Sequence, residues 1–325
     1  MATDADRDVD DIDEDAVSWS DPLPAVLLVG AVLVAGAYAT SVLDAAAAHL
    51  VAGRRLRLGE LVLGPWREAA LLAHMRRSTT ERPDVQTWVL APALLAGMAA
   101  VAVASVPLAP GVAVADVADG IVLFGAAMAV VMVGVYLHGW SSNSVFPLVG
   151  GYRFVALALS YEMPLALVLI AAALPAESLS VGAIVESQQG LWNVVRQPLG
   201  LPLFLVAGLG LASWGPLGMS DGADLAGGTS AEGSGGARLV WALARRFVLV
   251  AVAVTGAAVF LGGWHGPVLA GGLWMALKTL VLLAVLVGVG HRVARIRLER
   301  FVVVAWALLI PLALIDVFVS GALVL

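Results

Sequence analysis

The chain of 325 residues contains no cysteine. Disulfides, thiolate metal sites and cysteine-held iron–sulfur clusters all require cysteine, so this chain holds none of them. The sequence also lacks a GxGxxG fingerprint, a P-loop and a GxSxG nucleophile elbow. Any redox centre that works with this chain is therefore expected on another polypeptide.

Charged residues are scarce. They make up 13% of the chain, about half the roughly 25% that soluble domains carry. Hydrophobic residues make up 61%, and the mean hydropathy is +0.95. A chain this apolar needs lipid as its solvent. The composition predicts an all-α polytopic membrane protein, with an acidic disordered tail at 1–21 followed by a single transmembrane domain at 22–325.

Eight apolar runs are long enough to cross a bilayer, at about 20 residues per helical crossing. The fifth run is the weakest of them, because it is short and rich in glycine. The runs cover residues 22–48, 86–108, 117–139, 152–174, 200–218, 238–263, 268–291 and 301–324. No internal repeat suggests a transporter built from inverted halves.

The arginines test this topology. With eight crossings, fifteen arginines lie on one side of the membrane, and only Arg7 and Arg196 lie on the other. Cytoplasmic loops carry the excess of basic residues, so this distribution predicts that both termini lie outside the cytoplasm. The one lysine, Lys278, falls within the seventh span.

Two connections have distinctive compositions. Residues 64–77, "GPWREAALLAHMRR", place Leu71, Leu72 and Met75 on one helical face and polar residues on the other. This pattern predicts an amphipathic helix at the cytoplasmic interface. Residues 219–237, "MSDGADLAGGTSAEGSGGA", are rich in glycine and serine, which is typical of a flexible loop.

Glu162 is the most informative ionisable residue, because it lies about ten residues into the fourth apolar run. A charge at the bilayer centre costs roughly 2.5–3.5 kcal/mol, so such a group usually faces the bundle interior and serves a function. Glu162 is interpreted as a proton relay or a cavity wall, with helix packing as the alternative. Lys278, Asp316 and Arg246 also lie at membrane depth and are candidate charge partners. Arg245 is expected to extend to the cytoplasmic interface.

Five blocks of sequence together resemble the H-subunit family of bacterial complex I, the NADH-quinone oxidoreductase. They occur in the same order as in that family, and the resemblance extends over residues 22–325. The blocks are "GWSSNS" with "LVGGYRFVALALSYEM" at 139–163, "QQGLWNVVRQPLG" at 188–200, "FLGGWHGP" at 260–267, "WMALKT" at 274–279 and "RIRLERFVVVAWALLIP" at 295–311.

The resemblance implies a membrane-arm subunit that contributes to quinone binding and redox-coupled proton translocation. Its substrate would be menaquinone or ubiquinone, and NADH, FMN and the iron–sulfur clusters would be bound by partner subunits. The other partners implied are the remaining membrane-arm and hydrophilic-arm subunits and the lipid bilayer; no nucleic acid is expected. Glu162 matches the carboxylate of the family's Ser-Tyr-Glu motif and would belong to the proton relay.

The chain departs from the family in three motifs. The Gly-Pro-x-Arg-x-Gly-Pro signature at the mouth of the quinone chamber is here "GELVLGPW", with a valine at the arginine position. The residues implied at this mouth are Gly59, Gly64, Pro65 and Trp66. The acidic loop keeps only three carboxylates as plausible equivalents, namely Asp221, Asp224 and Glu232. The Gly-Glu-Tyr of the sixth span is replaced by Arg245, Arg246 and Phe247.

Two alternatives to this interpretation stay open. One is the equivalent subunit of a membrane-bound hydrogenase-type complex. The other is a membrane anchor that holds a hydrophilic module without binding quinone, which the altered mouth signature favours. The retained Glu162 and Lys278 favour the catalytic subunit, in which Arg246 could form an ion pair with Glu162.

Overall fold

The computed structural model describes residues 22–115 and 117–324, and within them the fold is built from helices without a β-strand. The expected tail at 1–21 lies outside the described residues. The helices are α1 Pro22–Val51, α2 Leu58–His74, α3 Val85–Ala104, α4 Gly120–Ser141, α5 Val145–Ala173, α6 Val181–Glu186, α7 Asn193–Arg196, α8 Gly200–Leu211, α9 Gly235–Leu261, α10 Gly271–Arg292, α11 Leu298–Val304 and α12 Ile310–Val324.

Seven helical segments of the described chain are long and apolar enough to cross a membrane. They are α1, α3, α4, α5, α9, α10 and a continuous segment in which a π-helical turn at Ala305–Leu309 joins α11 to α12. The all-α polytopic class is therefore confirmed. The amphipathic helix predicted at 64–77 is α2, which begins six residues earlier.

The fifth predicted span differs most from the expectation. Residues 200–218 were predicted to cross the bilayer, but α8 ends at Leu211 and, at 12 residues, rises only ~18 Å. Ser213 and Gly215 then adopt positive φ angles of 48° and 55°, which turns the chain away from the helix axis. Gly215 lies against the backbone of Gly290, where a Cβ atom would clash. The fifth apolar run, which the sequence marked as the weakest, therefore forms a helix shorter than a full crossing.

α9 is the most buried of the long helices. It packs against α1, α2, α3, α8 and α10, and every residue from Val248 to Phe260 is buried. Small residues in this stretch permit close approach of neighbouring helices; at Gly256, for example, a Cβ atom would come within 2.9 Å of the Phe204 ring. The second half of α9, which carries no charged residue, is suited to such a central position.

The segment between α8 and α9 was predicted to be flexible, but it is folded. It forms four short 3₁₀ turns, which together cover Gly215–Leu217, Met219–Asp221, Ala223–Leu225 and Gly228–Ser230. Met219, Ser220 and Thr229 are buried, and the turns pack mainly against α5. This segment, residues 215–234, is called the acidic loop below.

Candidate functional site

A chamber of about 480 Å³ lies between α1, α2 and the first half of α9. This volume lies within the range of roughly 300–1,000 Å³ that is usual for small-molecule sites. Most of the chamber wall is apolar, and the polar groups come chiefly from α9. The lining residues are Val34, Ala37, Tyr38, Ser41, Pro65, Trp66, Glu68, Ala69, Leu72, Ser230, Arg238, Leu239, Trp241, Ala242, Leu243, Arg245, Arg246 and Phe247.

The amphipathic helix α2 covers one side of the chamber. Its residues Pro65 and Trp66 line the cavity, whereas Gly59 and Gly64 lie elsewhere on α2, with open space beside them. The Trp66 ring centroid is 5.8 Å from that of Tyr38 on α1. The Tyr38 hydroxyl donates a hydrogen bond of 2.8 Å to the Val62 carbonyl, which fixes α2 against α1. Two of the four predicted mouth residues therefore reach the chamber.

Arg245 does not extend to the solvent as expected. Its guanidinium forms an ion pair with Asp221 of the acidic loop and donates a hydrogen bond of 2.6 Å to the Ser213 carbonyl. Both side chains are largely buried, with 17% and 14% of their surface exposed. Extension to the interface does not by itself account for Arg245, because a carboxylate and a turn carbonyl from another segment meet it inside the protein.

Arg246 is half-buried and also lines the chamber. The expected ion pair between Arg246 and Glu162 is absent, and within residues 22–115 and 117–324 neither side chain has a partner of opposite charge within 4.0 Å. Neighbouring residues on a helix point about 100° apart, so Arg245 and Arg246 face different surroundings. Only Arg245 faces the acidic loop.

Asp221 organises the acidic loop around Arg245. Its carboxylate accepts a hydrogen bond from the Thr229 hydroxyl as well as the ion pair from Arg245. Its backbone carbonyl accepts a hydrogen bond of 3.1 Å from Arg295, which precedes α11. The loop is thereby joined to α9 on one side and to the final helical segment on the other.

Asp224 connects the same loop to α5. Its carboxylate lies 2.7 Å from the guanidinium of Arg153, although 60% of the Asp224 side chain is exposed. The hydrogen bond from Arg153, together with the charge of this arginine, lowers the pKa of Asp224. Glu232, at the end of the loop, accepts a hydrogen bond of 2.8 Å from the Ser144 hydroxyl at the start of α5. All three predicted loop carboxylates are thus engaged by neighbouring segments.

Glu162 lies further along α5 and does not line the chamber. The side chain is half-buried, and its Oε1 atom is buried without a hydrogen-bond partner among the described residues. Arg153 precedes it by nine residues, or ~13 Å along the helix. The pairs Arg245–Asp221 and Arg153–Asp224 therefore connect the chamber wall, through the acidic loop, to the helix that carries Glu162.

Lys278 lies at the other end of the bundle and has no carboxylate partner among the described residues. Only 5% of it is exposed, and its ammonium donates hydrogen bonds of 2.9 and 2.7 Å to the carbonyls of Gly263 and His265. It also lies 4.2 Å from the ring centroid of Trp192. The expectation of a charge partnership with Glu162 is not met, because the ammonium is satisfied by carbonyls that follow α9.

Asp316 is buried in α12, and its Oδ2 atom has no hydrogen-bond partner among the described residues. In the part of the chain that is described, no group of three His, Cys, Asp or Glu residues could hold a metal ion.

Among the chamber residues that sequence reasoning did not single out are Tyr38, Arg238 and Trp241. The helical spacing of Arg238, Trp241 and Arg245 places them along one side of α9 and was the available signal. Behind this wall, the Trp241 ring stacks on His138 with centroids 3.7 Å apart.

Comparison with known proteins places the chain in one family. Residues 26–321 match the family model described as NADH dehydrogenase. A Rhodopseudomonas palustris (strain HaA2) protein, named as an H subunit of NADH-quinone oxidoreductase, is 31% identical over 309 residues, which cover 93% of this chain and 95% of that protein.

Two further relatives, also named as H subunits of NADH-quinone oxidoreductase, agree. The Cereibacter sphaeroides (strain ATCC 17029) protein is 31% identical over 273 residues, covering 82% of this chain and 86% of that protein. The Syntrophotalea carbinolica (strain DSM 2380) protein is 31% identical over 252 residues, covering 74% and 76%. These matches confirm the resemblance to the H-subunit family of bacterial complex I, and the chain belongs to the NADH dehydrogenase family.

Proposed function

We propose that this chain is the membrane-arm subunit of a complex I-type NADH-quinone oxidoreductase in which quinone binds. The observation that carries the proposal is the chamber between α1, α2 and α9, in a chain of the NADH dehydrogenase family. The match to the Rhodopseudomonas palustris relative covers nearly the whole chain. The protein is expected to act only within the assembled complex.

The chamber has the chemistry that a quinone requires. Val34, Leu72 and Phe247 supply an apolar wall for the prenyl tail. The guanidinium groups of Arg245 and Arg246 supply N–H donors for the ring oxygens. The helix α2 borders the chamber, and at the membrane interface it would guide the quinone from the lipid into the chamber. Electrons would come from an iron–sulfur cluster on a partner subunit.

Proton transfer would use the carboxylates that lead away from the chamber. Asp221 contacts the chamber wall through its ion pair with Arg245. Asp224 and Glu232 contact α5, and Glu162 lies beyond them on that helix. Reduction of a quinone takes up protons, and a carboxyl without a hydrogen-bond partner at membrane depth can change charge in response. Glu162 is therefore assigned the role of proton relay.

The surroundings of the subunit follow from this function. It would span the inner membrane of a bacterial cell, with both termini outside the cytoplasm and α2 and the acidic loop on the cytoplasmic side. The hydrophilic-arm subunits would bind NADH, FMN and the iron–sulfur clusters and dock against this side. Menaquinone or ubiquinone would be the substrate.

Filling the chamber tests the quinone assignment. Ala242 lines the chamber and is half-buried, whereas Ala48 lies on α1 outside it. In the purified complex, Ala242→Trp is expected to lower quinone reductase activity at least about tenfold because the indole occupies the ligand's space. Ala48→Trp should retain it. Equal activity of the two variants would show that quinone does not bind in this chamber.

Removing the charge of Glu162 tests the proton relay. Glu162→Gln is expected to abolish proton translocation coupled to quinone reduction while leaving assembly of the complex intact, since the amide keeps the shape but carries no exchangeable charge. Acidification by inverted membrane vesicles, measured with a fluorescent pH probe, reports the loss. Wild-type proton movement in the variant would refute the relay.

Purification in a gentle detergent separates this function from its alternatives. Iron–sulfur and antiporter-like subunits together with inhibitor-sensitive quinone reduction would support the proposal. Nickel–iron hydrogenase subunits would move the chain to a hydrogenase-type complex. The same complex I partners without quinone reduction would indicate a membrane anchor.

A further inference from the structure

The chamber carries more positive than negative charge. Three arginines of α9 line it, namely Arg238, Arg245 and Arg246, whereas its only lining carboxylate among the described residues is Glu68, on the exposed face of α2. Asp221 balances the charge of Arg245. The two remaining cations have no carboxylate partner within 4.0 Å in the described part of the chain.

Arg246 is the deeper of these two unpaired cations. It lies eleven residues, or ~16 Å, along α9 from Gly235, whereas Arg238 is exposed near the start of the helix. Within the described chain its half-buried guanidinium forms no ion pair and donates no hydrogen bond, and the residue before it, Arg245, carries a like charge. Partial burial of a cation without a partner is unfavourable. The position therefore favours an anion supplied by a bound molecule.

The rest of the chamber requires an apolar body on that molecule. Val34, Ala37, Leu72 and Phe247 form walls that have no hydrogen-bonding side chain. The volume of about 480 Å³ accommodates one molecule of ordinary ligand size. A ligand that satisfies both features has an apolar tail and a single anionic head beside Arg246.

We propose that the chamber selects amphiphiles with an anionic oxygen head and that Arg246 is the residue that binds this head. Two kinds of molecule have such a head: a quinone whose ring hydroxyl is ionised and a long-chain carboxylate. A guanidinium donates paired, charge-assisted hydrogen bonds to either oxyanion. The inference rests on the proposed function, because it takes the chamber to be the quinone site and names a preference within it.

A matched pair of probes tests this preference. Two naphthoquinones with the same alkyl tail differ only at one ring position, where one carries a hydroxyl that is ionised at neutral pH and the other carries a methoxy group. The purified complex is expected to bind the ionised probe at least about tenfold more tightly than the methoxy probe. Arg246→Gln should remove most of this difference, and Arg246→Lys should keep part of it.

Arg292→Gln is the control. Arg292 is exposed at the end of α10 and lies outside the chamber, so its loss lowers the net charge equally without touching the ligand. This variant should keep the full preference. Displacement of the ionised probe by palmitate would identify long-chain carboxylates as the source, and failure of palmitate to compete would identify the acidic quinone.

Two results would overturn the inference: equal affinity of the wild-type complex for both probes, or an unchanged preference in Arg246→Gln. Neither result would by itself refute the quinone site. The site stands if the methoxy probe binds and Ala242→Trp prevents its binding. If Ala242→Trp leaves the binding of both probes unchanged, the chamber is not the quinone site and the inference fails with it.

Discussion

Different kinds of polar group surround the two ends of α9. Near its first half, charged side chains from separate segments form ion pairs, as in Arg245–Asp221, and Arg246 remains without a partner among the described residues. Near its last turn, the neutral amides of Gln188, Asn193 and Gln197 form a buried set, called the amide cluster here. The amides bond chiefly to backbone groups.

The amide cluster completes the ends of helices. Gln188 donates to the carbonyls of Ile184 and Ala258 and accepts from the backbone N–H groups of Asn193 and Gly262. The last carbonyls of a helix lack partners within it, so such side chains supply what the backbone cannot. The side-chain amides of Asn193 and Gln197 likewise donate hydrogen bonds to backbone carbonyls near the ends of α5 and α9.

The difference separates a structural region from a functional one. The neutral amides hold helix ends together through their N–H donors, although the side-chain oxygens of Asn193 and Gln197 have no partner among the described residues. Charged groups that connect separate segments, with Arg246 and one oxygen of Glu162 left unpartnered among the described residues, can respond to a ligand or a proton. Mutations at the two ends should therefore have different consequences.

The largest effect on stability is expected from Gln188→Leu. This change leaves the N–H of Asn193 without its acceptor and removes two hydrogen bonds to helix-end carbonyls, which should lower the free energy of unfolding by about 4 kcal/mol. Denaturation of the purified complex with SDS in mixed micelles measures this loss. Gln189→Leu is the matched control, because Gln189 is exposed and its side chain bonds to Glu186 next to it. Equal stability of the two variants would contradict the structural role of the amide cluster.

A smaller effect on stability is expected from Asp221→Asn, together with a loss of function. Removing one partner of this largely buried ion pair should cost about 2–3 kcal/mol and leave the guanidinium of Arg245 uncompensated beside the chamber. Quinone reductase activity should fall with it. Asp224→Asn, which breaks the exposed pair with Arg153, should change stability far less. If Asp221→Asn and Asp224→Asn lose the same stability, the burial of the Asp221–Arg245 pair does not make it stronger than the exposed Asp224–Arg153 pair.

The smallest effect is the pH dependence of the Asp224–Arg153 pair. Arg153 lowers the pKa of Asp224 in the folded protein below that in the unfolded chain. The stabilising contribution is therefore complete above the unfolded value of about 3.9 and is lost as the pH falls through the lower folded value. The difference in unfolding temperature between the wild type and Asp224→Asn should be constant at neutral and mildly acidic pH and shrink below about pH 4. A difference that grows on acidification would refute this coupling.

Local patterns in the sequence predict much of the architecture. Hydropathy identified seven long helices because each apolar run is a property of consecutive residues. The amphipathic pattern of α2 was equally local. The ordered sequence blocks identified the family, and Pro65 and Trp66 line the chamber.

The sequence by itself determined that this chain is a helical membrane protein with a few ionisable groups at membrane depth. Only the tertiary structure decided which of these groups meet. Arg245 rather than Arg246 reaches Asp221 because one residue rotates the side chain by about 100° around α9. The ammonium of Lys278 bonds to the carbonyls of Gly263 and His265 because the turn after α9 folds back over α10. Such pairings depend on helix rotation and on loops that return over the bundle, and neither is encoded in the spacing of residues along one helix.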